Sequence, residues 1–468
     1  MGRHAMFTSI HLKNFKSWQD TGEVALAPIT LLFGSNSSGK TSILQSLLLM
    51  KQTMESADRS RPLELGGTNS LVDLGTYSDI VFNHSDSADV KFSVRWQARD
   101  ALTITDELLR AQRKGSVLER SDNLSLTTVL KVANNDAEVE RVTYELGGTR
   151  FDLARRVGKK GFDLTSNVYT FARGQGRAWP LPPPSKFYGL PDQVRLYFQN
   201  AGFLSDLELE AEREFSRIRY LGPLRDNPRR QYLYSGGRPA DIGTRGELAI
   251  EALIASGHAN AKASRGWQAG PNRKRLRAVP VERLIAEWLE ELNLIHSFKL
   301  KALDERNTVY QVLVKRSANS PEVSLTDVGF GVSQILPILV LLATSVEGDI
   351  IILEQPEIHL HPAVQSKLAD ILIETALTHN VQIMAESHSE HLLGRIQRRL
   401  AEKNLKRRVV FEPKDVAMYF CEQKSGKSEI RRLQTNEYGN ILNWPIDFFG
   451  NPLEDSVAAM TAAADRSS

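Results

Sequence analysis

The chain has 468 residues, 41% hydrophobic and 25% charged, a globular composition with room for roughly three domains of ~150 residues. Fifty-nine Lys and Arg against 56 Asp and Glu leave a formal charge of +3, so any nucleic-acid contact has to come from a local basic site. The single cysteine, Cys421, excludes an intramolecular disulfide framework and a multi-Cys zinc site, and the sequence shows no apolar run of the ~18 residues a membrane helix needs.

The opening Met1-Gly2-Arg3-His4-Ala5-Met6 lacks the apolar core of a signal peptide, which makes a cytoplasmic, reducing compartment the expectation. Phe7–Phe15 alternates as a strand does, and Ile29–Phe33 is a short run of the buried-strand kind. Gly34-Ser35-Asn36-Ser37-Ser38-Gly39-Lys40-Thr41 follows at once and fits G-x-x-x-x-G-K-[ST]. From Ser42 to Met54, Ile43, Leu44, Leu47, Leu48 and Met50 recur at helical spacing. Strand, small-residue loop and helix are what a phosphate cradle requires. Small residues let successive N–H groups wrap a phosphate, and the helix N-terminus adds partial positive charge. Lys40 is expected on the terminal phosphates and Thr41 on Mg²⁺, so ATP and Mg²⁺ are the expected cofactors. A chance match in a chain of this length has a probability on the order of one in a hundred.

Between Gly66 and Pro321, strand-like pieces (Val90–Gln97, Ser125–Val132, Glu138–Leu146, Arg150–Leu153) suggest an antiparallel sheet on the first lobe. Pro180-Leu181-Pro182-Pro183-Pro184 reads as a surface break. Helical patterns follow over Pro191–Arg219, Arg245–Ser256 and Val281–Leu294, with no heptads long enough for extended coiled-coil arms. Basic residues gather at Arg225, Arg229 and Arg230, and again at Arg265, Arg273, Lys274, Arg275 and Arg277. For the second cluster two readings stand: a loop touching a DNA phosphate backbone, or a solvated charge run.

Downstream, Leu325–Gln334 (LTDVGFGVSQ) precedes an apolar helix, Ile335–Ala343, and its small residues make a second candidate phosphate cradle. Asp349–Leu353 is a hydrophobic strand ending in Glu354-Gln355-Pro356-Glu357-Ile358-His359-Leu360-His361-Pro362. A strand closed by a carboxylate is the Walker-B arrangement, in which the acid belongs to the Mg²⁺ shell, here Glu354. Leu353 stands 313 residues beyond Lys40, a gap that fits an ATPase head split by an insertion. Val381–Ala385, a further strand, runs into Glu386-Ser387-His388-Ser389-Glu390-His391.

With these four motifs in order, the chain resembles the ABC-type ATPases of the SMC, RecF and OLD superfamily, and especially prokaryotic AAA15/21-type members. Those carry E-x-P-E-h-H-L-H-P and T/S-H-S-E segments, and Tyr220-Leu221-Gly222-Pro223-Leu224-Arg225 is a looser landmark of the same kind. Asn436–Pro445 looks like part of a C-terminal domain of unknown function found on some of them. The resemblance implies an α/β fold, an ABC-type P-loop head with a mixed core sheet and an antiparallel β-subdomain, split by a β and helical insertion. It implies an N-terminal half over 6–100, an inserted lobe over 101–319, a second half over 320–412, and a small β region with tail over 413–468. It also implies that Gly329, Gly331, Ser333 and Gln334 complete the site of a second copy, and that His388 contacts the γ-phosphate. Phe15 and Lys16 are where adenine contacts are expected.

One position departs from the family pattern. Gln355 stands where a catalytic glutamate is expected, and an amide cannot act as a base near neutral pH. Either Glu357 orients the water or hydrolysis is slow. His359, His361, His388 and His391 offer metal-ligand spacings, but the resemblance assigns His359 and His361 to a packing loop and His388 to the switch. Only 77 residues follow His391, with no acidic pairs of a metal-dependent nuclease domain, so cleavage is expected from a partner chain. The leading expectation is an ATP-gated homodimer that switches an effector or nuclease, as ATPase subunits of anti-phage systems do. A DNA-maintenance clamp of the RecF/SMC kind and an ATP-binding scaffold with little turnover are the alternatives.

Overall fold

The computed structural model describes residues 6–67, 70–85, 87–105, 117–174, 179–263, 277–405 and 409–445. Its organising element is a six-stranded sheet in the order Ile218–Leu221, Ile350–Glu354, Gln382–Glu386, Ile29–Gly34, Val416–Lys424, Lys427–Arg432. The first five strands are mutually parallel, and the last returns antiparallel through the tight Ser425-Gly426 turn, both residues at positive φ. Strands covered on both faces carry continuous apolar runs, and IIIL of Ile350–Leu353 and ITLLF of Ile29–Phe33 are buried throughout.

Alternate side chains of these strands enter two different cores. Leu32, Ile350, Ile352, Met384 and Cys421 face the helix Lys40–Glu55, the helix Leu204–Ser216 and an eight-stranded antiparallel sheet. Ile29, Leu31, Phe33, Ile351, Leu353 and Ile383 face the helices Ala249–His258, Val281–Glu291, Phe330–Ala343, Pro362–His379 and Glu390–Glu402. The antiparallel sheet is built mainly from Met6–Phe15 and the long strands Ser87–Thr105, Val117–Ala133 and Asp136–Leu146. Asn134 and Asn135, both left-handed, make the two-residue turn between the last two, a conformation Asn tolerates well.

The architecture is the α/β head with a mixed core sheet and an antiparallel β-subdomain. Its elements cross the boundaries expected from the sequence. Ser87–Thr105 is one strand running through residue 100. Ile218–Leu221, from the interval expected to be an insertion, is an edge strand of the core sheet. Val416–Lys424, from the expected C-terminal region, pairs directly with the strand that feeds the phosphate loop. Short strands buried on both faces carry no alternation, so their place in the sheet is set by tertiary pairing. The helical interval Pro191–Arg219 likewise resolves into two helices, Gln193–Tyr197 and Leu204–Ser216, before that edge strand. Among the described residues no helix is long and apolar enough to cross a membrane.

On the helix Leu204–Ser216, burial pushes two carboxyls up to about 7, the partly buried Glu208 and the fully buried Glu214. Glu214 is fully buried against Arg217 at 2.8 Å. A carboxyl whose folded pKa lies above its unfolded value holds its proton longer when folded, so stability falls as pH rises from about 4.5 through 7. The melting temperature is therefore expected to decline between pH 5 and pH 8, and Glu214→Gln is expected to flatten part of that slope. Identical slopes for variant and wild type would contradict the assignment.

Candidate functional site

Two glycines fix the phosphate loop. Gly34 has φ +140°, and a Cβ there would lie 1.9 Å from the Cys421 carbonyl oxygen of the paired strand. Gly39 has φ +88°, and its Cβ would fall within 3 Å of Ser17 Oγ, Ser428 Oγ and the Trp18 ring. Trp18 Nε1 donates to the Gly39 carbonyl at 3.0 Å, tying the loop to the antiparallel sheet. The helix Lys40–Glu55 then begins with no acidic residue in its first turn and no side-chain cap among the described residues, which leaves its N–H groups for an anion.

Lys40 is 2% exposed, and its Nζ donates to the Ser35 carbonyl at 2.7 Å and the Gly34 carbonyl at 3.2 Å. Burial lowers its pKa, with Glu386, 3.9 Å away, opposing. Thr41 Oγ1 donates to Glu386 Oε2 at 2.6 Å. Glu386 ends its strand opposite Glu354, which ends the neighbouring one. Glu354 accepts from the Tyr220 hydroxyl at 2.9 Å, and burial, reinforced by Glu386, pushes its carboxyl up to about 7.

Beyond the strand, Gln355 turns left-handed with φ +45°, and its N–H donates to the Glu386 carbonyl at 3.0 Å. Glu357 is buried. Its Oε1 accepts from the His388 N–H at 2.6 Å, while its Oε2 has no hydrogen-bond partner among the described residues. Burial raises the Glu357 pKa. Burial and the Lys40 charge lower that of His388, so its imidazole is neutral at pH 7. Lys16, Ser17, residues 36–42, Gln355, Glu386 and His388 line a cavity of about 300 Å³ between these parts.

The oxygen donors here suit a hard cation. Thr41 and Glu386 are in contact and Glu354 stands beside them, so protein oxygens are ready while the phosphates of a nucleotide would complete the shell, the usual way Mg²⁺ is bound. The described residues contain no group of three or more His, Cys, Asp and Glu able to hold a metal by themselves. His361 caps the helix Pro362–His379 through Nδ1, and His359 packs edge-on against Phe330.

A family described as an AAA ATPase domain matches residues 6–157 and 271–393, more than half of the chain. The chain is a member of the AAA ATPase domain family. A second family, described as a protein of unknown function, matches residues 411–456. No curated protein matches. Solved structures with weak overall similarity are heads of SMC proteins. An Smc head bound to the C-winged helix domain of ScpA is 10% identical, with a TM-score of 0.42 over 92% of this chain and 97% of that one. The SMC head domain from Thermotoga maritima is 9% identical, with a TM-score of 0.39 over 92% and 99%. An Smc head with an extended coiled coil, bound to the C-terminal domain of ScpA and derived from Pyrococcus furiosus, is 10% identical, with a TM-score of 0.40 over 98% and 100%.

Within this AAA ATPase the structure gathers Asn36 to Ser42, Gln355 and His388 around one cavity, with Gly34 and Ser35 at its base. Glu354 and Glu357 stand behind the lining and hold the strand end and the switch loop. Gly329, Gly331, Ser333 and Gln334 do not line it. Gly329 is the exposed N-cap of the helix Phe330–Ala343, whereas Ser333 is buried and donates to the Phe330 carbonyl at 2.7 Å. Gln334 is buried as well. Phe15 lies in the core against Phe92 and makes no part of the lining, while Lys16 does. Arg273, Lys274 and Arg275 lie outside the described residues.

Sequence reasoning missed Glu386, Tyr220 and Arg225. For Glu386 a signal existed: QIMAE ends in a carboxylate just as IIILE does. Lys40→Ala removes the buried ammonium at the loop, and the affinity for a fluorescent ATP analogue is expected to fall at least ~tenfold. Retained affinity in a folded variant would contradict the site.

Proposed function

We propose that this AAA ATPase is an ATP-gated switch in which two copies close over two nucleotides. The observation that carries this reading is the helix Phe330–Ala343. Its N-terminus is exposed, has no acidic residue in the first turn and no side-chain cap among the described residues, and does not line the nucleotide cavity of its own chain. Free N–H groups at a helix start bind phosphate, so the triphosphate of a second copy is the fitting ligand. Head closure then converts nucleotide binding energy into movement of the attached lobes.

In the hydrolytic step Lys40 and the N–H groups of residues 36–42 hold the phosphates. Thr41, Glu354 and Glu386 would hold Mg²⁺, which when bound screens the phosphate charge. Gln355 supplies an amide to the cavity but no base. Glu357 orients the attacking water. Its first carboxylate oxygen fixes the switch segment that carries His388, and the Ser387 side chain adds to the hold on the carboxyl. His388, at the cavity wall, serves as hydrogen-bond partner to the γ-phosphate.

The resemblance to ATPase subunits of anti-phage systems makes a nuclease or other effector, encoded separately and cytoplasmic, the partner that closure switches. Gln355 favours a second reading, an assembly scaffold that binds ATP with little turnover. Glu357→Gln separates the two. On the first reading turnover falls at least ~tenfold with nucleotide affinity within about twofold of wild type; unchanged turnover removes Glu357 from the mechanism.

Dimer closure has its own test. Gly329 has open space around it, so Gly329→Glu folds and sets a carboxylate at the helix start, where it repels an incoming triphosphate. ATP-dependent association, followed by analytical ultracentrifugation, is expected to vanish while ATP binding to the single copy persists. Association that survives would refute the closure.

A further inference from the structure

The segment Tyr220–Arg225 spans the end of the edge strand Ile218–Leu221 and the turn beyond it, and neither phosphate chemistry nor subunit closure explains its contacts. Tyr220 is buried, and its hydroxyl holds the Glu354 carboxylate at 2.9 Å. Arg225 is 6% exposed and does not line the nucleotide cavity. Its Nη2 donates to the Glu354 carbonyl at 3.0 Å, and its Nη1 to the Gln355 carbonyl at 3.2 Å. One guanidinium therefore grips two successive peptide oxygens at the bend where the strand ends.

That bend is the left-handed residue Gln355, a backbone state uncommon for a residue bearing a long side chain and held in place by its surroundings. Here the imposition comes from both sides. The Gln355 N–H is held by the Glu386 carbonyl, and the Gln355 carbonyl by Arg225. The gripping segment is itself anchored, because Gly222 N–H donates to the Thr244 carbonyl at 2.8 Å and Asp226 N–H to the Arg245 carbonyl at 2.9 Å. A lysine cannot reproduce the fork, since a single ammonium lacks the planar pair of donors.

We infer that Arg225 and Tyr220 are positioning residues for the hydrolytic step: Arg225 holds the left-handed Gln355 bend through two carbonyls, and Tyr220 fixes the Glu354 carboxylate. Neither lines the nucleotide cavity. The inference deepens the proposed hydrolysis at this site and rests on it for its catalytic consequence, though not for its structural one.

The test uses the full-length chain with Arg225→Lys and Tyr220→Phe. Hydrogen exchange of the segment 353–358 is expected to quicken at least ~tenfold in Arg225→Lys, with exchange at residues 34–45 unchanged. Steady-state turnover is expected to fall about tenfold in kcat for Arg225→Lys and less for Tyr220→Phe, with KM and the affinity for a fluorescent ATP analogue within about twofold. Unaltered exchange at 353–358 overturns the inference, and so does a loss of affinity that matches the loss of turnover. A wild-type chain without turnover would refute the hydrolysis reading alone, and the exchange result would still decide whether Arg225 holds the bend.

Discussion

Two buried carboxylates, Glu354 and Glu386, stand opposite each other at the ends of neighbouring parallel strands, and the Thr41 hydroxyl donates to one of them. Like charges so placed are unfavourable in a dry site, which is why burial and Glu386 together drive the Glu354 carboxyl up to about 7. Such a pair persists where a cation completes it, and the phosphate loop, whose Thr41 already touches Glu386, is where a nucleotide would bring one. The rest of the head serves that constraint. The parallel strands align both acids with the loop, and the helices on either face keep the strands in register.

The C-terminal segment is part of the same machinery. Val416–Lys424 pairs with the strand that ends in Gly34, close enough that its Cys421 carbonyl leaves no room for a side chain there. Ser428, on the returning strand, backs Gly39 and accepts a close approach of the loop, while its N–H donates to the Ser17 carbonyl. The region matched by a family of unknown function thus supplies one wall behind the phosphate loop. Its removal would expose the strand Ile29–Gly34 as a bare edge.

How much of this was legible in the sequence depended on the range of the interaction. The loop from Gly34 to Thr41 is local, with strand, small residues and helix in order within about thirty positions, and it was read directly. The split head was legible because IIIL and IMA carry the apolar pattern of doubly covered strands. The role of Glu386 needed the strand order, since only adjacency of Gln382–Glu386 to both other strands brings it to Thr41. Arg225 was visible as a basic residue, but a guanidinium reaching carbonyls some 130 positions away leaves no local pattern. In the segment read from the sequence as a second candidate phosphate cradle, helical phase turned Ser333 and Gln334 inward and left Gly329 outside, a one-turn detail that composition does not carry.

The central claim is that residues brought from both ends of the chain hold one magnesium triphosphate. Its most direct test is a crystal structure with a non-hydrolysable ATP analogue and Mn²⁺ in place of Mg²⁺, read from the anomalous signal. The account predicts one strong peak bonded to Thr41 Oγ1 and phosphate oxygens, beside the Glu354 and Glu386 carboxylates, with the Thr41–Glu386 hydrogen bond broken. A nucleotide bound with that hydrogen bond intact, or a metal peak remote from both acids, would contradict it.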